Sequence, residues 1–366
     1  MIVGDTGPSG ATGPTTAVGP YLQMALEQAP NYEGGTNPVS SNVFYPPVEE
    51  ITDDEKMTVL EEKNVVRGFL APMPHLGAAK YEPDFKLTKI HPRPSHLGFM
   101  LAWMLGSWTS QEGDGSTVLD PDGNAIPVGA YQHIYTYKFA VEPQTARALA
   151  CTGNQEHRLV QGAGLSDLAF AFENGALVCD AAGLALVTEP ISIGTSPLTT
   201  EVTPVLDTHL PFRQGNMVIS WLGSSALTRA FTFKFNSPIE AIWSPVHSSL
   251  FPTDLWYKNG ELPFVSGEID KATVADADWA ALAAGTQFAA QIEVFHGQNI
   301  GVTSYPSKMW VKMPGCELTK NTKQAIKAER RREVKYEWES RYDVTTDRLV
   351  TVTLVNDTPA YATYSA

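Results

Sequence analysis

The apolar residues of this chain alternate far more often than they recur with helical spacing. Between positions 165 and 191 they fall at every second residue on both sides of Asn174-Gly175. That dipeptide supplies the two positive-φ residues of a type I′ turn. With Asn174 and Gly175 as the loop, Phe172 faces Leu177, Phe170 faces Cys179 and Leu168 faces Ala181, because side chains alternate along a strand. This face is wholly apolar, whereas Asp167, Glu173 and Asp180 share the other with alanines and Val178. The pattern predicts a half-buried antiparallel hairpin. Residues 228–236 alternate as strictly, with Phe231, Phe233 and Phe235 on one face. Val334, Tyr336 and Trp338 alternate with Lys335, Glu337 and Glu339, and a turn at 343–347 followed by 348–356 predicts a closing hairpin. Further strands are expected at 64–70, 131–141, 156–160, 216–222 and 291–296.

Helical spacing is convincing once in the first half. Leu97, Met100, Leu101, Met104 and Leu105 repeat at i, i+3, i+4, i+7 and i+8, with Pro94 and Ser95 at the start and Gly106 at the stop. Ser95 is the expected cap, and the helix should lie across the face of a sheet. A second helix is expected over 273–284, ending at Gly285. The reading is therefore a mainly β protein.

A chain of 366 residues exceeds one ordinary core, and the Thr-, Ser- and Pro-rich stretch 194–207 marks a boundary. The expected organisation is an extended N-terminal arm over 1–40, a first β domain over 41–200 and a second over 201–366. Each half offers one helix and several strands, although no repeat is visible letter by letter. Within the arm Gly4, Gly7, Gly10 and Gly13 keep a collagen-like spacing with Pro8 and Pro14. Four triplets are too few for a triple helix. An arm of this composition orders only when something holds it, and a neighbouring subunit is the natural holder.

A formal charge of −14 argues against general affinity for nucleic acid, since neutralising phosphates requires an excess of lysine and arginine. An acidic wall would instead let DNA slide past. One basic cluster, Lys327, Arg330, Arg331, Arg332 and Lys335, is diluted by Glu329, Glu333, Glu337 and Glu339. Mixed signs suit salt bridges to another subunit better than phosphate binding. The interface candidates are therefore Gly4, Gly7, Pro8, Gly10, Gly13, Pro14, Arg330, Arg331, Arg332 and Lys335.

Catalytic patterns do not appear. The eight histidines include no His-x-x-x-His pair, and there is no Gly-x-Ser-x-Gly, Walker loop or Gly-x-Gly-x-x-Gly. Asp120-Pro-Asp122-Gly-Asn124 has its glycine misplaced for a calcium loop and reads as a turn. His96 has no second ligand at helical spacing. Cys151, Cys179 and Cys316 cannot all pair and read as buried thiols. No catalytic, cofactor or metal site is expected. The absence of a long apolar run and of a signal-peptide pattern predicts a soluble, unexported product.

The ordered set of features resembles the tail tube (major tail) proteins of long non-contractile-tailed bacteriophages. It comprises Gly98-Phe-Met-Leu-Ala-Trp-Met-Leu-Gly106, the strand at 133–139, Ala150-Cys-Thr-Gly153 leading into 165–186, Phe231-Thr-Phe-Lys-Phe-Asn-Ser-Pro-Ile239, then 309–314 and 333–356. The resemblance spans roughly 60–358 and implies β-sandwich or barrel units with a flanking helix, joined into rings that stack as a hollow tube. It further implies DNA passing through the lumen without specific binding, and tail tip or baseplate, tape-measure and terminator proteins as partners. The expected location is the virion after assembly in the host cytoplasm. Single-unit members are about half as long and form six-membered rings, so two units per chain imply three chains per ring, with a lumen tending to acidic. The glycine-rich arm departs from the family pattern. The rival readings are a carbohydrate- or receptor-binding β protein that uses the eight tryptophans as sugar platforms, and an enzyme whose site is assembled from scattered residues.

Overall fold

A computed structural model describes residues 21–27, 44, 46, 48, 50–59, 78–138, 142–151, 157–173, 175–191, 211–213, 216–225, 228–243, 251–271, 276–323 and 334–361. The first half contains β1 (Tyr21–Leu26), β2 (Glu50–Val59), β3 (Ala78–Ile90), α1 (Pro94–Leu105), β4 (Gly106–Glu112), β5 (Tyr131–Tyr137), β6 (Thr145–Cys151), β7 (His157–Glu173), β8 (Ala176–Leu184) and β9 (Val187–Ile191). The second contains β10 (Met217–Trp221), β11 (Ser224–Ser225), β12 (Thr228–Asn236), β13 (Ile239–Ile242), β14 (Asp254–Tyr257), β15 (Phe264–Lys271), α2 (Asp276–Ala284), β16 (Phe288–Asn299), β17 (Pro306–Lys323), β18 (Val334–Arg341) and β19 (Thr351–Asn356). The protein is mainly β, and its strand pairs are antiparallel.

The central hairpin has the expected register. Phe172 pairs with Leu177, Phe170 with Cys179 and Leu168 with Ala181, and Gly175 takes φ 82°. Asn174 lies outside the described residues. Leu168, Phe170, Leu177, Cys179 and Ala181 are buried, while Phe172, nearest the turn, is half-buried against the same core. The expected strand at 156–160 is the first part of β7, which runs on unbroken into the hairpin. A bulge between Leu165 and Asp167 divides its pairing with β8.

The pairing scheme of the first half recurs in the second, in the same chain order. β1–β6, β2–β3, β3–β8, β6–β7, β7–β8 and β7–β9 correspond to β10–β16, β12–β15, β15–β18, β16–β17, β17–β18 and β17–β19. Helix α1 follows β3 as α2 follows β15. The β4–β5 hairpin and the β13–β14 pair stand outside this scheme. Long strands carry it: along one edge of β7 lie β9 (157–161) and then β8 (164–173), and along one edge of β17 lie β19 (308–312) and then β18 (315–323).

This arrangement corrects the closing hairpin. β18 and β19 do not pair with each other; they lie end to end on β17. The turn between them is real, with Asp343 accepting bonds from the amides of Thr345 and Thr346, but it returns the chain to the same edge. An 18-residue strand offers a row of unpaired backbone groups, and covering all of it satisfies more of them than folding β19 back on β18 would.

Helix α1 is buried on nearly every side and packs against β7, β5, β4 and β19. Gly106 ends it at φ 74°, as expected. Ser95 is not the cap: Arg93 holds that position without a side-chain bond, and Pro94 opens the first turn, where a missing N–H costs little. Helix α2 ends before Gly285 at φ 59°. Within the region expected as an arm, Tyr21–Leu26 forms β1 and pairs with β6, and Leu22, Met24 and Leu26 are buried. The expected strand at 64–70, the boundary at 194–207 and residues 1–20 lie outside the described residues.

Candidate functional site

Among the described residues two strand-to-strand pairings join the halves. β12 lies along β7, with Phe233 opposite Phe170 and Phe235 opposite Leu168. The Phe170 and Phe233 rings stack with centroids 4.8 Å apart, and Phe235 meets Phe170 edge-on. On the opposite face Lys234 Nζ lies 2.6 Å from Asp167 Oδ1. Elsewhere β19 lies along β5. Beside this second joint the 120–124 turn docks on the start of β17. Tyr305 donates to Asp120 Oδ2 at 2.6 Å and Trp310 Nε1 to Asp122 Oδ2 at 3.1 Å. Against burial, which pushes it up, the bonds from Tyr305, Asn124 and the Asp122 amide hold the Asp120 carboxyl below its usual range. The residues expected as a plain turn are thus a turn that also fastens the halves.

The β7–β12 joint makes eight strands continuous: β2, β3, β8, β7, β12, β15, β18 and β17. One face of this run is core. Phe85, Leu87, Leu168, Phe170, Phe231, Phe233, Phe235, Val265, Ile269, Tyr336 and Trp338 are buried there. Gly267 lies beneath the Trp338 ring, and a Cβ at that position would meet Trp338 Cζ2 at 2.7 Å and the Thr232 carbonyl closer still.

The other face is polar. By register it carries Glu82, Asp84, Asp167, Asp180, Glu268, Asp270, Glu317, Glu337 and Glu339 against Lys80, Lys86, Lys234, Lys320, Lys335 and Arg341. Nine carboxylates against six cations leave a net charge of −3 on these positions. Several are paired: Lys320 with Glu337 at 2.6 Å, Lys335 with Glu268, and Arg341 with Glu317 at 3.0 Å and Glu339 at 2.9 Å. Exposed pairs contribute about 0–1 kcal/mol each, so their effect is mainly on register. An open depression of about 420 Å³ on this face is bordered by Ala171, Asp180, Thr232, Lys234, Glu268 and Glu337.

Lys335 is thus fastened within its own chain. Arg330, Arg331, Arg332, Gly4, Gly7, Pro8, Gly10, Gly13 and Pro14 lie outside the described residues. Trp103, Trp221, Trp310 and Trp338 are fully buried, so half of the eight tryptophans present no platform to a ligand. Cys179 and Cys316 are buried and unbridged, and burial pushes the Cys316 thiol up to about 12. His96 is buried within α1. Among the described residues no three His, Cys, Asp or Glu side chains converge as metal ligands, and no helix is long and apolar enough to cross a membrane.

One histidine is built into the core. His133 on β5 accepts from Ser110 Oγ at Nδ1 (2.8 Å), and Nε2 donates to Asn356 Oδ1 (3.1 Å) and the Thr358 carbonyl (3.0 Å). The carbonyl can only accept, which places the ring proton on Nε2. Burial pulls its pKa down to about 4 against the opposing effect of those two bonds. Asn356 in turn donates to the Tyr361 hydroxyl at 2.7 Å and the Pro94 carbonyl at 3.0 Å, clipping the C-terminal segment onto α1.

Sequence reasoning missed the two ends of the eight-strand run. Acidic residues crowd β2, and Lys320 and Lys323 stand near the end of β17, and both are visible in the sequence. Only the pairing scheme makes them opposite edges of one sheet. No family model matches the chain, and no curated protein matches it.

Proposed function

We propose that this chain is a structural tube subunit, a tail tube protein of a long-tailed bacteriophage, in which two tandem units per chain supply two of six positions in a ring. The observation that carries the reading is the strand scheme repeated in order, joined so that a polar face runs across eight strands. The sequence resemblance supports it independently. Three copies would contribute 24 strands, from eight per copy. At about 4.8 Å per strand and a tilt near 40°, such a barrel has a backbone diameter of roughly 50 Å and a lumen on the order of 40 Å. A DNA duplex passes through that width. A wall with excess carboxylates limits phosphate adhesion while mixed charge keeps it hydrated.

Electron microscopy of the purified protein, with native mass measurement, tests this reading. Hollow threefold rings with pseudo-sixfold appearance, alone or stacked, are expected. Six chains per ring would overturn the two-unit assignment, and compact particles that bind glycans would favour a receptor-binding protein.

A further inference from the structure

β7 and β17 are equivalent strands in the repeated scheme, yet their second edges are filled differently. On β7 that edge carries β6 along 157–164 and then β12 along 167–171. On β17 it carries β16 along 306–316, and among the described residues no strand follows along 317–323. β12, which fills the place on β7, is the equivalent of β2, and among the described residues β2 pairs with β3 alone. Among the described residues the sheet therefore ends in two open edges that match the two sides of its own internal joint.

We infer that β2 of one copy pairs antiparallel with residues 317–323 of β17 in the next copy, repeating between chains the joint that β12 and β7 make within one. Charge selects this pairing. The internal joint sets Lys234 of β12 against Asp167 of β7, in contact at 2.6 Å. The open edges carry the opposite assignment. Residues 50–59 hold four carboxylates and one lysine, a net −3, and residues 317–323 hold Lys320, Lys323 and Glu317, a net +1. An exchanged pairing, β2 on β7 or β12 on β17, would bring like charges together. Like-charge juxtaposition discriminates against wrong partners, so the two kinds of joint alternate around the assembly. Such a contact is heterologous, and it closes when the rotation per copy divides a full turn.

The inference rests on strand pairing and charge alone and does not require a DNA conduit. Equal amounts of isotope-labelled and unlabelled full-length protein are mixed, assembled and treated with a carbodiimide, which joins a carboxylate to an amine in contact with it. Mixed-isotope links between peptides holding Asp53, Asp54 or Glu55 and those holding Lys320 or Lys323 are expected. Links between copies that map only elsewhere, or a protein that stays monomeric at every concentration, would overturn the inference. Adjacent strand residues point their N–H groups to opposite sides, so one of Asp54→Pro and Glu55→Pro spares the β2–β3 ladder. That variant should keep its circular dichroism and melting while its association weakens about tenfold or more. Unchanged association of the folded variant also overturns the proposal. Rings built through another contact would leave the tube reading standing without this joint. Linked open chains that never form hollow particles would do the reverse.

Discussion

Replacing Phe233 with alanine measures how firmly the halves are joined. The side chain is 2% exposed, its ring stacks on Phe170 across the β7–β12 joint at 4.8 Å and 17°, and Phe235 meets it edge-on at 5.8 Å. Truncating a buried phenylalanine costs about 3–5 kcal/mol, the lost transfer energy plus the cavity left behind. Roughly 0.5–1.5 kcal/mol of this belongs to the aromatic pair itself and is lost only once. The double variant Phe170→Ala, Phe233→Ala should therefore be more stable than the sum of the single losses predicts, by about 1 kcal/mol. Urea unfolding followed by circular dichroism and tryptophan fluorescence supplies the numbers, and an unchanged slope confirms that the same surface is exposed on unfolding. Phe172→Ala serves as a control: it is half-buried at the hairpin end and should cost less than Phe170→Ala. A single loss below about 1 kcal/mol, or additivity within about 0.3 kcal/mol, would refute the packing described for the joint.

His133 makes the fold pH-dependent. Its pKa is about 4 in the folded protein against 6.5 for the free side chain, so the unfolded chain binds the proton first, and stability falls as pH drops from about 6.5 to 4. The contribution is about 3 kcal/mol, and chemical denaturation of His133→Gln across that range should lose this part of the slope. Gly98→Ala should loosen the C-terminal clip by about 1–3 kcal/mol, because the new Cβ would overlap the Tyr361 ring; unchanged melting would refute that contact. Lys271, paired with the buried Asp278 at 2.6 and 2.8 Å, anchors α2 to β15. Lys271→Met should cost about 3–5 kcal/mol by stranding the carboxylate, while Lys271→Met with Asp278→Leu should recover most of it in thermal unfolding.

The sequence by itself determined what is local. Asn174-Gly175 with strict alternation specified the register from Leu168 to Ala181, and the apolar spacing with Gly106 specified α1 and its end. These follow from backbone sterics and from the period of two or 3.6 residues, which act over a few neighbours. The tertiary structure decided which edges meet. β18 and β19 looked like a hairpin because both alternate around a turn, but β17 offers each a longer edge. Phe233 could be assigned to a buried face, yet nothing nearby in sequence named Phe170 as its partner 63 residues away, 233 less 170. His133 gave no sign of its role, since its partners Asn356 and Thr358 belong to the far end of the chain. Backbone hydrogen bonds are the same at every strand edge, so local pattern makes a strand without naming its neighbour. Here the neighbour is set by stacked phenylalanines on one face, opposed charge on the other and the two lengths of β7 and β17 that must be covered.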